Sequence, residues 1–306
     1  MKYPKKLRKG DTIGLICPSS PVTKERVLEC ALKIKSLGFN VKIADNVTDN
    51  YGGYMAGTGV ERGYWVNKMF ADEEVDGIFC IRGGDGSSRI MEYLDYEIIR
   101  SNPKVFVGYS DVTNLHLAIN QNCGLVTFHG PMVSSNMIDS FDQETADSLF
   151  YTINAEENFE FKNPKDFDIK VLKEGKAIGR IIGGNLSLLS ASIGTPYSVD
   201  TRGSILFIEE VSEPITKIEK WVYHLKNAGL LEKCSGILLG QFTNVVNDRC
   251  PKYDEIKCFE DFLDGLEIPV MYNIQSGHDK PMMTIPMGTI CHMDTKKRSI
   301  LFEVLR

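Results

Sequence analysis

No stretch of the 306-residue sequence holds about 18 consecutive apolar residues, the length a membrane-crossing helix requires. Neither C-x-x-C nor H-E-x-x-H occurs, although eight cysteines and five histidines are present, so no zinc site and no other metal is expected. Internal repeats and low-complexity segments are also missing. There is no basic excess: 35 Lys and Arg stand against 41 Asp and Glu, a net charge of −6, which argues against nucleic acid as a partner. Tryptophan is scarce, with only Trp65 and Trp221. The basic N-terminus, Lys2 to Lys9, is followed by Asp11 and a short apolar stretch, Ile13–Cys17. That stretch is too short for the core of a secretory leader and reads as a buried strand.

What is present points to a globular α/β protein of one large or two ordinary domains. Cys17, Cys80 and Cys291 lie in apolar, strand-like runs, and the thiols read as free and buried, which suits a cytoplasmic location. In the first half, strands are expected at Asp11–Cys17, Asn40–Ala44, Gly77–Ile81, Val105–Gly108 and Val126–Phe128. Helices are expected from Thr23 to Leu37 and at Val60–Ala71, Tyr93–Ile99 and Asp111–Asn120. Near-continuous apolar strands alternating with helices predict a parallel sheet covered by helices. Residues 154–168 are polar and read as a linker between domains spanning 1–153 and 169–306. The second half is richer in strands, at Ser204–Ile208, Gly236–Leu239, Val270–Ile274 and Arg298–Val304. Its helices are expected at Leu186–Ile193, opened by Gly183-Gly184-Asn185, and at Ile215–Ala228 and Phe259–Leu266.

Ligand sites in open parallel sheets form at the carboxyl ends of strands. Four polar clusters follow expected strands: Arg82-Gly83-Gly84-Asp85-Gly86, Gly108-Tyr109-Ser110-Asp111, Glu209-Glu210 and Gln275-Ser276-Gly277-His278. Ser110 stands between a strand and a helix. It either caps that helix or lifts its hydroxyl above the sheet, where N–H groups of the next turn stabilise an oxyanion. The match to G-x-S-x-G is incomplete, because Val112 replaces the second glycine. A serine nucleophile needs a base, and placement in loops at strand ends favours His278 or His129. His116 lies inside a helix and is expected to face packing, His224 is mid-helix, and His292 is in the tail. Glu209 and Glu210 are adjacent on a strand, so one of them faces the site and the other turns away. Gly83-Gly84 suits a tight turn, an oxyanion loop or a weak phosphate cradle, although Asp85 would repel phosphate. Arg82 either pairs with Asp85 or Asp111 or offers its guanidinium to a ligand carboxylate.

Taken together, these clusters resemble the LD-carboxypeptidase family of serine peptidases. The resemblance runs through Gly14-Leu-Ile-Cys-Pro-Ser-Ser20, Arg82-Gly83-Gly84, Tyr93-Leu94-Asp95-Tyr96, Pro103-Lys104, Gly108 to Leu115 and His129-Gly130-Pro131-Met132. It continues through Gly183-Gly184-Asn185-Leu186, Gly194-Thr195-Pro196, Leu206 to Glu210 and Gly277-His278, in collinear order over nearly the whole chain. It implies an N-terminal parallel-sheet, flavodoxin- or Rossmann-like domain and a C-terminal mixed α/β domain. It also implies a triad of Ser110, His278 and Glu209, with Glu210 the alternative acid, assembled across the two domains. Backbone N–H groups of Gly84 and Asp111 would form the oxyanion hole, and Arg82 and Gly83 would meet the substrate. No cofactor is implied. The implied activity is release of the terminal D-alanine from murein tetrapeptide in cytoplasmic peptidoglycan recycling, by a homodimer. Family members of the microcin C immunity type instead cleave a carboxamide to a nucleotide analogue and stack its base on an aromatic, often tryptophan. Where members of the family often carry tyrosine after the Gly-Gly pair, this chain has Asp85. A rival from another class is a nucleotide- or sugar-binding module that uses Gly83-Gly84 without catalysis.

Overall fold

The computed structural model describes residues 1–305. In chain order the strands are β1 (Thr12–Ile16), β2 (Asn40–Ile43), β3 (Gly77–Cys80), β4 (Val105–Gly108), β5 (Thr127–His129), β6 (Phe159–Glu160) and β7 (Lys170–Lys173). Then come β8 (Lys176–Asn185), β9 (Ile205–Val211), β10 (Gly236–Thr243), β11 (Val270–Tyr272), β12 (Ile285–Met287), β13 (Ile290–Asp294) and β14 (Ser299–Phe302). The chain divides into two compact units. One holds Met1–Glu156, Thr284–Pro286 and Leu305, the other Glu157–Met283 and Met287–Val304.

The sheet of the first unit has the order β2-β1-β3-β4-β5-β12, and its first five strands pair in parallel. That is the flavodoxin-like order, in which the chain reverses direction between β1 and β3 and opens a crevice at their carboxyl ends. Every residue of β3 and β4 is buried, because helices cover both faces of the sheet and leave no solvent side for polar alternation. Thr23 caps Lys24–Ser36 by accepting the Arg26 N–H, and Thr58 and Glu61 form a reciprocal capping box at Gly59–Ala71. The expected helix Tyr93–Ile99 starts later than its apolar pattern suggests. Asp95 accepts the N–H groups of Glu97 and Ile98, so the helix begins at Tyr96 and ends at Ser101. The helix Gln143–Asn154, capped by Asp142, has no counterpart in the expected elements.

The second unit holds an eight-stranded sheet, β6-β14-β13-β8-β9-β10-β11-β7. Strands β8 to β11 pair in parallel, whereas β7, β13, β14 and β6 pair antiparallel, which makes the sheet mixed as expected. Strand β8 changes character along its length. Lys176, Ile178 and Arg180 alternate outward beside β13, while residues from Ile181 onward are all buried beside β9. Gly183-Gly184-Asn185 thus end a strand before opening the helix Leu186–Ser192. Gly183 holds φ +119, and a Cβ there would lie 2.0 Å from the Phe207 carbonyl oxygen, so no other residue fits between β8 and β9. Within 154–168, the segment read as a linker, Phe159–Glu160 pair with β14. The expected helix Phe259–Leu266 lies earlier, at Glu255–Phe262, because Asp254 caps it by accepting the Lys257 N–H. All eight cysteines are free and seven are buried, Cys250 being exposed. Among the described residues no helix is long and apolar enough to cross a membrane.

Candidate active site

In the first unit β4 ends at Gly108, Tyr109 stays extended, and Ser110 turns to φ +63 before the helix Thr113–Cys123. A non-glycine residue in this left-handed region costs about 1–2 kcal/mol and persists only where its surroundings impose it. The surroundings here are tight. A Cβ on Gly108 would lie 2.8 Å from Val112 Cγ1 and 3.1 Å from Cys80 Sγ, so the strand approaches the helix through a bare backbone. Val112, standing where G-x-S-x-G has its second glycine, is the residue that packs on Gly108. The Gly108 carbonyl accepts from the Gly130 N–H at 3.1 Å and from His116 Nε2 at 2.8 Å. His116 Nδ1 in turn accepts from the Thr127 hydroxyl at 2.8 Å. Burial lowers the His116 pKa to about 4, against the pull of its bond to Gly108, so the ring is neutral and structural, as its helix position suggests.

Gly83 presses directly on the serine: a Cβ there would lie 3.1 Å from Ser110 Cβ and 3.3 Å from Oγ. Gly84 holds φ +119, and a Cβ on it would lie 2.1 Å from Ser20 Oγ. The Ser20 N–H donates to the Gly83 carbonyl at 3.3 Å, and the Asp85 N–H donates to Ser20 Oγ at 3.3 Å. Among the described residues, the N–H groups of Gly84 and Asp111 have no hydrogen-bond acceptor. The Asp111 side chain is buried. Its Oδ2 accepts from the Ser19 hydroxyl at 2.6 Å and the Ser87 N–H at 2.8 Å. Burial raises its pKa, against the bonds from Ser19 and Ser87. Nothing in sequence spacing marks Ser19 or Ser87 as its partners, since they lie 92 and 24 residues away.

Arg82 is exposed and, among the described residues, forms an ion pair with neither Asp85 nor Asp111. It lines a cleft of about 560 Å³ together with Thr23, Arg26, Asn50 and Ser134. His129, the other candidate base, is fully buried on β5, its ring edge-on to Tyr109 at 5.8 Å.

In the second unit the alternation of β9 separates the two glutamates. Glu209 is fully buried, and its Oε2 lies 2.7 Å from His278 Nδ1. Glu210 turns the other way. It accepts from Asn185 Nδ2 and the Ser187 N–H at 2.8 Å each, and from the Val211 N–H at 2.9 Å. Burial raises the Glu210 pKa, and the neighbouring Glu209 charge adds to that, against the bonds it accepts. His278 sits just beyond Gly277, whose φ is +148 and on which a Cβ would meet Gln241 Cβ at 2.9 Å and Glu209 Oε2 at 3.3 Å. Gln241 secures the loop by accepting the Asp279 N–H at 2.8 Å. A carboxylate bonded to Nδ1 places the ring proton there and leaves Nε2 as the basic nitrogen. Burial disfavours the charged ring, but the Glu209 charge, its hydrogen bond and the Glu210 charge outweigh it, and the His278 pKa is raised. The remaining histidines are engaged elsewhere, His224 with Ser190 at 2.9 Å and His292 with Glu303 at 2.6 Å.

A strained serine beside unengaged N–H groups, and separately a carboxylate-bonded imidazole, are groups that hydrolases of the serine-peptidase class employ. Residues 13–130 match the family model described as the LD-carboxypeptidase N-terminal domain and residues 178–293 match the LD-carboxypeptidase C-terminal domain. The chain belongs to the LD-carboxypeptidase family, as its motifs indicate, and is a peptidase. It is 38% identical to a probable murein peptide carboxypeptidase of Bacillus subtilis over 98% of this chain and 94% of that protein. Its fold is similar to that of the microcin immunity protein MccF in complex with glutamyl sulfamoyl guanosine, with TM-score 0.91 and 26% identity over 100% of both chains. It is also similar to muramoyltetrapeptide carboxypeptidase from Oxalobacter formigenes, with TM-score 0.83 and 26% identity over 96% of this chain and 99% of that one.

Proposed function

We propose that the protein is a serine LD-carboxypeptidase that releases the terminal D-alanine from murein tetrapeptide in peptidoglycan recycling. The observation that carries the serine assignment is the strained Ser110, held at φ +63 against Gly83 beside the unengaged Gly84 N–H. On this reading His278 Nε2 takes the Ser110 proton and Oγ attacks the carbonyl carbon that precedes D-alanine. The N–H groups of Gly84 and Asp111 hold the oxyanion. The C–N bond then breaks, D-alanine leaves with the proton from His278, and water, deprotonated by the same ring, frees the peptide and Ser110. Glu209 keeps the ring in its working tautomer. Arg82, a cation with no carboxylate partner among the described residues, pairs with the free terminal carboxylate.

The choice of murein peptide is supported by the 38% identity to the Bacillus subtilis relative. The second reading, cleavage of a peptidyl or aminoacyl nucleotide carboxamide, is supported by the similarity to MccF. Against it, neither tryptophan stands in a strand-end loop. Trp65 and Trp221 lie within the helices Gly59–Ala71 and Ile215–Asn227, with Lys68 Nζ and Lys217 Nζ over their rings at 4.2 and 6.0 Å. The proposal includes a cytoplasmic homodimer that needs no cofactor, a set of expectations carried by the family resemblance. Mass spectrometry of a defined L,D-tetrapeptide and of a peptidyl sulfamoyl nucleotide separates the two readings. Loss of one alanine from the tetrapeptide is expected, and preferential cleavage of the nucleotide would reverse the choice.

A further inference from the structure

Arg62 is 1% exposed, on the helix Gly59–Ala71, and among the described residues it has no carboxylate partner. A guanidinium cannot shed its charge, so burying one with no carboxylate in contact is costly and calls for a reason, even though the Asp111 charge acts on it from beyond ion-pair distance. Its Nη1 and Nε go to backbone carbonyls instead, and Nη2 to Met55 Sδ at 3.4 Å. Nη1 reaches Pro18 at 2.6 Å and Gly86 at 2.9 Å, and Nε reaches Gly57 at 3.1 Å. Pro18 lies in the loop after β1 and Gly86 in the loop after β3, so one side chain bridges the two loops at the crevice. Asp111 bridges the same loops through Ser19 and Ser87. A Cβ on Gly86, at φ +106, would meet Met55 Sδ at 2.9 Å and Arg62 Nη1 at 3.2 Å, so the loop approaches both side chains through a glycine.

The bridge bears on one peptide plane. The Ser20 N–H donates to the Gly83 carbonyl. In a trans peptide the carbonyl of Gly83 and the N–H of Gly84 point in opposite directions. Holding the first fixes the second, and glycine on both sides leaves that plane otherwise free to rotate. Ser20 keeps its place because Pro18 and Ser19, immediately before it, are tied to Arg62 and Asp111.

We propose that Arg62 is a positioning residue: with the Asp111 side chain as a second clamp, it holds residues 18–20 so that the Gly83–Gly84 peptide keeps its N–H directed for oxyanion binding. The proposal rests on the reading that Ser110 is the nucleophile and Gly84 an oxyanion donor. The test compares Arg62→Met, Arg62→Lys and Ser19→Ala in the full-length protein, with reactive serines counted by a phosphonate probe. A peptide boronate, whose tetrahedral adduct carries an anionic oxygen, reports on the oxyanion site. The tripeptide product reports on ground-state binding. Arg62→Met is expected to lower kcat per titrated serine and boronate affinity together, by about 10–100-fold, less than the about 10²–10³-fold for outright loss of an oxyanion donor because the N–H is misdirected and not removed. KM and tripeptide affinity stay within about threefold of the parent, because binding is uniform and only the transition state is affected. Arg62→Lys, which keeps the charge but lacks the planar fork, falls between. Ser19→Ala, the mildest change, gives a smaller loss of the same kind should Arg62→Met fold poorly. Parental kcat per titrated serine in all three variants, or an effect on KM alone, overturns the proposal while leaving Ser110 in place. Full turnover by Ser110→Ala overturns the serine reading and this proposal with it.

Discussion

Glu209 Oε2 lies 2.7 Å from His278 Nδ1, whereas the next residue, Glu210, directs its carboxylate to Asn185 and Ser187 instead. Two adjacent acids of the same kind thus have unrelated surroundings, because successive side chains of a strand leave opposite faces.

The first consequence is a pH dependence. On the proposed mechanism His278 must be neutral to accept a proton; burial lowers its pKa, but Glu209, with a smaller push from Glu210, outweighs burial and raises it. The rate kcat/KM therefore rises with pH through a midpoint above the ordinary histidine value of about 6.5. Glu209→Gln removes the charge and leaves burial to dominate, so the midpoint moves to lower pH. Its kcat falls by about 10²–10⁴-fold because the working tautomer is no longer enforced. A pH profile of both proteins checks the direction, and a midpoint that moves upward would refute the assignment.

Glu210→Ala should behave differently. It strips the acceptor from the Ser187 and Val211 N–H groups and from the Asn185 amide. Buried donors left unpaired cost about 1–3 kcal/mol each, and some regain water, so a loss of about 2–4 kcal/mol is expected in denaturant unfolding. The midpoint of the pH profile should drop only slightly, since the Glu210 charge is the last of the influences raising the His278 pKa.

Ser110→Ala should abolish release of D-alanine in the tetrapeptide assay. Ser110→Gly should be equally inactive yet more stable, by up to about 1 kcal/mol, because glycine accepts φ +63 without the Cβ penalty. Thermal unfolding of the two variants measures the strain stored at position 110. A Ser110→Gly protein less stable than Ser110→Ala would show that the backbone there is unstrained.

The two glycines of the loop should respond unequally. Gly83→Ala brings a methyl to 3.1–3.3 Å from the Ser110 side chain, at a φ that alanine tolerates, so kcat should fall about 10–100-fold with little change in stability. Gly84→Ala meets Ser20 Oγ at 2.1 Å at φ +119 and should lose both stability and activity. Paired kinetics and melting curves decide between these outcomes.

Arg82→Met should raise KM about 10–100-fold for a substrate with a free terminal carboxylate, the usual worth of a charge-assisted hydrogen bond, with a smaller effect on kcat. A matched substrate ending in a carboxamide should feel the substitution much less. Equal losses on both would assign Arg82 another role.

Much of this is legible in the chain. Continuous apolar runs mark β3 and β4, Thr23 with Gly38 brackets the first helix, and serine after Gly108-Tyr109 marks the strand-to-helix turn. These signals act over a few residues. Helix starts at Tyr96 and Glu255 escape the apolar pattern because a side-chain cap, Asp95 or Asp254, decides them. Strand β8 escapes it because half of the strand alternates and half does not, according to which neighbour it pairs with.

By itself the sequence determined the alternation of strands and helices, and that one of two adjacent glutamates must turn away from its neighbour's side. Only the tertiary structure decided which one. Among the described residues it also left Arg82 without an ion pair, gave the Asp111 carboxylate to Ser19 and Ser87, and buried Arg62 against two loop carbonyls. The reason is range. Propensity and periodicity are properties of neighbouring residues, whereas partners 24 to 92 residues apart are chosen by strand order, register and the space left between packed loops.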